Sequence, residues 1–205
     1  MSLRVYTDVT GLQPKTRMGD LLHTNRWSQG LLTARQPEYH PRVSVRRMLP
    51  HELEAAVSVW RAANIARSAP HGAERTARIR AKLAASDAQA FVALGPEIVG
   101  MALAEPGRLD DGAGGLDPTL LHISMVFVHP AAQGTGVGSS LVLHVLDAAR
   151  SLGYQRVDVW TYRDNTPARR LYEGAGMATT GKSARVLTRT QIQYECLLSG
   201  KARRS

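Results

Sequence analysis

Cysteine is nearly absent: Cys196 is alone in 205 residues, which rules out an intrachain disulfide and fits a reducing compartment. No cysteine–histidine cluster has the spacing of a zinc site, so no metal is expected. Aromatic residues are scarce, 5% of the sequence against 43% for all apolar types, and aliphatic side chains and alanine must build the core. No stretch approaches the roughly 18 consecutive apolar residues of a membrane span, and no basic segment leads into an apolar run at the N-terminus. A cytoplasmic protein without a membrane partner is the expectation. No internal repeat recurs at periods of about 20 to 50 residues. A chain of this length can bury one good core and is short for two.

Acidic residues are outnumbered, 17 against 26 lysines and arginines, for a net charge of +9. Such a balance favours a polyanionic partner: nucleic acid, an anionic surface or a phosphorylated cofactor. Charge alone does not choose among them.

Residues 1–41 hold Gly11, Pro14, Gly19, Gly30, Pro37 and Pro41 without a lasting period, and are read as an extension before a domain at 42–198 and a basic tail at 199–205. Val43 to Arg46 alternates as a strand, and Pro50 opens a helix with Leu53, Val57 and Trp60 on its apolar side. Gly72 to Ser86 suits a second helix, with Ile79 and Leu83 one turn apart and a basic, solvated face. Ala90–Leu94 and Ile98–Leu103 flank Gly95-Pro96-Glu97 as paired strands. Pro106 to Pro118, rich in glycine and aspartate, predicts a mobile surface loop, and Leu120 to Val128 a buried strand. Apolar residues at 137, 141, 145, 148 and 152 predict a helix closed by Gly153. Arg156 to Tyr162 alternates, Thr166-Pro167 caps and starts a last helix, and strands near Met177–Thr180 and Gln191–Leu198 finish the order β-α-α-β-β-β-α-β-α-β-β.

The strongest chemical signal is Val128-His129-Pro130-Ala131-Ala132-Gln133-Gly134-Thr135-Gly136-Val137-Gly138-Ser139, a glycine-rich turn between strand and helix. The first amides of a helix lack intrahelical partners and sit at the positive end of its dipole. A turn stripped of side chains lets a pyrophosphate approach them. The G-x-G-x-G spacing differs from the G-x-G-x-x-G of dinucleotide folds, and the lysine of a nucleoside-triphosphate loop is missing.

Gln133-Gly134-Thr135-Gly136-Val137-Gly138 after Val-His-Pro resembles the Q/R-x-x-G-x-G/A signature of the GCN5-related N-acetyltransferase (GNAT) superfamily. Asn165-Thr166-Pro167-Ala168-Arg169-Arg170-Leu171-Tyr172-Glu173-Gly174-Ala175-Gly176-Met177 is similar to that family's N-x-x-A-x-x-L-Y-x-x-x-G-F segment, with Met177 for the usual aromatic. The resemblance implies an α/β fold, a mixed, mostly antiparallel sheet with two splayed central strands flanked by helices. It implies acetyl-CoA as co-substrate, its pyrophosphate on Gln133, Gly134, Thr135, Gly136, Val137, Gly138 and Ser139, and its pantetheine along the backbone of Val126, Phe127 and Val128. Asn165 would hydrogen-bond the pantetheine or the strand, Ala168 would leave room for it, and Tyr172 would protonate the departing thiolate. Independently of the resemblance, Asn165, Ala168 and Tyr172 fall on one side of a helix start.

Attack on a thioester requires a neutral amine, hence a base. Leu121 to Val126 lacks the glutamate often found in the family, which leaves His122 and Glu105 as the candidates. Trp160 is read as packing, and Asp158 or Tyr162 as cleft wall. The expected activity is acetyl transfer in a ternary complex to an amine, small molecule or peptide, and a homodimer is compatible with it. A non-catalytic acyl-CoA-binding protein is the alternative. Nucleic-acid binding ranks lower, since no helix-turn-helix, zinc finger or RNA-binding aromatic motif accompanies the charge.

Overall fold

The computed structural model describes residues 43–198; the predicted extension and the basic tail lie outside them. The elements follow the predicted order: β1 (Ser44–Arg47), α1 (Leu53–Ala66), α2 (Ala73–Leu83), β2 (Gln89–Leu94), β3 (Ile98–Arg108), β4 (Leu116–Val128), α3 (Val137–Leu152), β5 (Arg156–Tyr162), α4 (Thr166–Gly174), β6 (Ala178–Val186) and β7 (Arg189–Leu197). They form a seven-stranded sheet in the order β1-β2-β3-β4-β5-β7-β6. Every neighbouring pair is antiparallel except β4 and β5.

Alternation along the strands divides the core into two layers. Phe91, Ala93, Ala102, Val126, Val128, Val157 and Val159 pack with α3 and α4 on one face. Ala90, Val92, Met101, Leu103, Met125 and Phe127 pack with α1 and α2 on the other. The α3 stripe begins as predicted at Val137, Leu141 and Val145 and then drifts to Leu146 and Ala149, leaving Leu152 53% exposed. A straight helix turns 3.6 residues per turn, so a fixed spacing of four walks off the buried side.

Two predicted boundaries change. Both ends of the glycine-rich 106–118 segment are strand, since β3 runs to Arg108 and β4 starts at Leu116, with a 3-10 turn at Asp110–Gly112 between them. Proline is tolerated there because the β2–β3 ladder ends at Ala104 and the β4–β5 ladder starts at Leu120, so Pro106 and Pro118 each lie where one side of the strand has no partner strand. The cap of α4 is Asn165 rather than Thr166: its Oδ1 accepts the Ala168 amide at 3.3 Å, and Pro167 sits inside the first turn.

Two closures matter for the site. Gly100 on β3 lies under α3, and a Cβ there would meet Val137 Cγ1 at 2.7 Å, so glycine lets the first turn of α3 press onto the sheet. At the opposite side, Glu52 accepts two hydrogen bonds from Arg46 and one from the Leu49 amide at 2.8 Å, fixing the entry to α1.

The Arg46 hydrogen bonds outweigh the opposing effect of burial and hold the Glu52 carboxyl down at about 2. A depressed carboxylate stabilises the fold above its ordinary value and loses that contribution as pH falls from about 4.5 toward 2. Glu52→Gln is expected to cost about 1 to 2 kcal/mol at pH 7, modest because the Arg46 side chain is 38% exposed. Urea melts of both proteins should converge as the pH is lowered through that window; a difference that persists at pH about 2 would assign the loss to packing.

Candidate active site

β4 ends at Val128, and the chain passes through a 3-10 turn at Pro130–Ala132 into the glycine turn. Here Gly134 and Gly136 take φ of +78° and +86°, a left-handed backbone that other residues adopt at a cost. Gly136 is the N-cap of α3 and brings no side chain to its amides, and the first helical bond is Ser140 N–H to Gly136 O at 3.0 Å. The amides of Val137, Gly138 and Ser139 precede that bond and point out of the helix end. Among the described residues, a Cβ added at Gly134 or Gly136 would meet nothing within 4 Å. The turn is thus an open cradle at the positive end of a 16-residue helix, which suits a pyrophosphate. Gly138 packs toward α4, where an added Cβ would stand 3.4 Å from Leu171 Cδ2. Thr135 Oγ1 donates to Ala132 O at 2.7 Å, and Gln133 Nε2 donates to Val128 O at 3.3 Å, tying the turn back to β4.

The β4–β5 ladder runs only from Leu120↔Arg156 to Ile123↔Val159. Beyond it β4 continues with β3, and β5 continues with β7, so the two central strands part. The parting coincides with a bulge. Leu103 of β3 pairs with Met125 and Ala104 with Ile123, which leaves Ser124 extra on β4. Ser124 is fully buried and its hydroxyl donates to Leu103 O at 3.4 Å. One extra residue reverses the alternation, so His122 lies on the same face as Met125 and Phe127, not with Val126 and Val128.

That face holds a cavity of about 300 Å³, lined by His122, Ser124, Glu105, Lys82, Asp158, Trp160, Arg156 and Gln193, and rimmed by Arg108 to Gly112 and Lys182. The two candidate bases meet there, since Glu105 pairs with His122 across β3 and β4. Their surroundings differ. Glu105 accepts an ion pair from Lys82 of α2 at 2.5 Å. His122 Nδ1 is 2.8 Å from Asp158 Oδ1, the neighbour across the β4–β5 ladder, and Asp158 Oδ2 accepts from Gln193 Nε2 at 2.7 Å. Arg156, bound to Asp117 and Glu195, closes one end, and the Lys182–Asp111 pair at 2.9 Å spans the rim. A partly exposed imidazole backed by a buried carboxylate has the geometry of a general base.

Tyr172, Ala168 and Asn165 belong to the opposite face. All three are buried on one side of α4, and the Tyr172 ring stands 6.0 Å from that of Tyr194. Asn165 caps α4 and also donates from Nδ2 to Thr161 Oγ1 on β5 at 3.4 Å. Met177 fills the aromatic position as a buried core residue. Val126 and Val128 face this layer, while Phe127 faces the other, with the Arg67 guanidinium 5.3 Å over its ring. Burial pushes Arg67 down to about 10, and the charges of Arg75 and Arg189 push the same way, so positive charge gathers near the end of β4. Arg189 also stacks 3.5 Å over Tyr162 at the end of β5. The cavity lining includes neither the glycine turn nor Tyr172. The two sets lie on opposite faces of the sheet.

Sequence reasoning did not find Gln193, Thr180 or Lys82. The signal for Gln193 was the alternation of β7, which places two glutamines, Gln191 and Gln193, at buried positions. A buried glutamine needs a partner, but which strand supplies it depends on register.

Among the described residues no helix is long and apolar enough to cross a membrane. A model of the acetyltransferase (GNAT) family matches residues 56–177. A mycothiol acetyltransferase of Kineococcus radiotolerans is 32% identical over 185 residues, 87% of this chain and 54% of that protein. The chain therefore spans about half the length of this curated relative, and less of others that match. Among solved structures, the Salmonella typhimurium protein yncA, determined with acetyl-CoA, superposes with a TM-score of 0.61 at 19% identity, covering 78% of this chain and 96% of its own. The ribosomal-protein-S18-alanine N-acetyltransferase of Escherichia coli does so at 0.60 and 16% identity, covering 78% and 97%. At these identities the likeness is one of fold.

The left-handed N-cap gives a direct test of the turn. Gly136→Ala should cost about 1 kcal/mol in urea melts through backbone strain alone, since its methyl would touch nothing among the described residues. A stabilised Gly136→Ala would show that the turn does not hold the left-handed conformation in solution.

Proposed function

Because this chain belongs to the acetyltransferase (GNAT) family, we propose that it transfers an acetyl group from acetyl-CoA to a primary amine seated in the polar cavity. The observation that carries this is the layout of β4. One strand holds His122 against Asp158 in the cavity, parts from β5 immediately afterwards, and ends in the open glycine cradle. Acetyl-CoA supplies the thioester, and the cradle amides of Val137, Gly138 and Ser139 would hold its pyrophosphate. The edge that β4 turns toward the parting would pair with the pantetheine as with an added strand.

In this reading Asp158 keeps the His122 Nδ1 proton in place, so that Nε2 removes the proton of an arriving ammonium. His122 is preferred over Glu105 because the Lys82 ammonium already occupies the Glu105 carboxylate. Tyr172 on α4 would, as the family resemblance implies, give its hydroxyl proton to the departing sulfur. The cavity's paired charges favour a small polar acceptor. The relatives' name makes the acceptor of mycothiol acetyltransferases one member of the panel to try, beside amino acids, polyamines, aminoglycosides and peptides.

Release of free thiol from acetyl-CoA across that panel tests the proposal. Turnover of at least one amine is expected; CoA binding without turnover would leave an acyl-CoA-binding protein. With the best acceptor, Tyr172→Phe and His122→Gln should each lower kcat about 10²-fold while CoA affinity by calorimetry changes little. Gly136→Asp should do the reverse, weakening CoA at least about tenfold through charge repulsion at the cradle. A folded Gly136→Asp that binds CoA like the parent would move the phosphate site elsewhere.

A further inference from the structure

The hydrogen bonds behind His122 do not stop at Asp158. Gln193 Nε2 donates to Asp158 Oδ2 at 2.7 Å, while its Oε1 accepts from Thr180 Oγ1 at 2.9 Å. Thr180 Oγ1 also accepts from the Lys182 amide at 3.2 Å. A second register irregularity builds this contact. Thr179 of β6 pairs with Tyr194 and Ser183 with Ile192, so Thr180, Gly181 and Lys182 together lie against Gln193. Gly181 takes φ of +80° within that step.

Each link has one polarity. The Asp158 carboxylate only accepts, which turns the Gln193 amide nitrogen toward Asp158 and leaves the amide oxygen to accept from the Thr180 hydroxyl. The carboxylate, buried and acceptor-only, then has Oδ1 left for a donor, and the neutral His122 ring must present Nδ1–H. Its Nε2 carries the lone pair. A flipped Gln193 amide would set oxygen against the carboxylate, leaving a buried acceptor unmatched at a cost of about 1 to 3 kcal/mol.

Resting on His122 as the base named above, we propose that Gln193 and Thr180 are positioning residues, which fix the Asp158 carboxylate and through it the Nδ1–H tautomer that frees His122 Nε2 for the acceptor amine. Neither touches the reacting atoms. They act from the β6–β7 hairpin, whose Lys182 also meets Asp111 across the cavity rim, so the element that flanks the acceptor also sets the base.

The test is the 15N spectrum of the imidazoles in the full-length protein, with the His122 signals assigned by their absence from His122→Gln. The parent should show Nδ1 protonated and Nε2 bare at a pH where the ring is neutral. Gln193→Leu should give a mixture of tautomers and lower kcat about tenfold or more, with the KM for acetyl-CoA within about twofold. Because Gln193 is buried and its loss could disturb folding, Thr180→Val at the exposed end of the chain is the second variant. It should lower kcat less, and Thr180→Ser should restore it. An unchanged tautomer in Gln193→Leu, or Thr180→Val equal to the parent in both readouts, overturns the positioning role. The tautomer arm needs no acceptor: a parent that transfers no acetyl group condemns the acetyltransfer reading, and an unchanged tautomer in an active enzyme condemns the positioning alone.

Discussion

The arrangement hangs on one extra residue, Ser124, in the ladder between β3 and β4. A bulge kinks its strand and increases local twist. Here it falls beside the last β4–β5 pair, Ile123↔Val159, and the two strands separate from that point. The same insertion reverses which side chains face which layer. Without it, period-two alternation would put His122 among the aliphatic residues under α3, a position of high desolvation for an ionisable ring. With it, His122 enters the polar cavity while Val126 and Val128 remain in the core. One backbone irregularity therefore sits where the sheet opens and turns His122 into the cavity.

The cavity's charges illustrate how a polar site is tolerated in a small aliphatic protein. Asp158 is almost fully buried and has both oxygens engaged, and Asp117, also buried, accepts from Thr119 twice and from Arg156. The Thr119 hydrogen bonds and then Arg156 hold Asp117 below its usual range. Satisfied networks of this kind rigidify what they connect, and a missing member leaves the rest exposed to the full desolvation cost. Rigidity is what a base and an acceptor pocket need, since small misplacements cost rate.

The element order and the glycine cradle were legible because each follows from local rules, whereas the parted strands were expected only from the family resemblance. Gly134, Gly136 and Gly153 sit at left-handed positions that glycine marks in any sequence, and the Val137–Leu141–Val145 stripe announces a helix. His122 and Glu105 were legible as chemistry, and their meeting followed from an antiparallel hairpin. What did not show was register. A bulge at a serine carries no glycine or proline to flag it, so the face of His122 could not be read from spacing. The link from Asp158 to Gln193 and Thr180 depends on which strand lies beside β5, and β7 reaches that place from the far end of the chain. The prolines at 106 and 118 misled for a related reason: they read as loop residues until the partner strands are known to stop short of them.

In the proposed reading, placing His122 and Tyr172 on opposite faces of one sheet would give the proton a direction. A proton leaving the ammonium would be taken on the α1–α2 side, and a proton reaching the sulfur would be given from the α4 side. Neither His122 nor Tyr172 would then need to serve both ends, and each could be positioned for one task. The proposal would put the acetyl carbon where both sides could reach it, in the gap beyond Ile123 and Val159. The cradle would then fix how far along β4 the donor extends, with the distance from Gly136 back to the gap set by the covalent length of the strand. On the proposed reading, moving the bulge by two residues would preserve the facing of His122 and still separate it from the thioester, so the position of Ser124 would be constrained from both directions, by the ring it turns and by the glycine turn it stands away from.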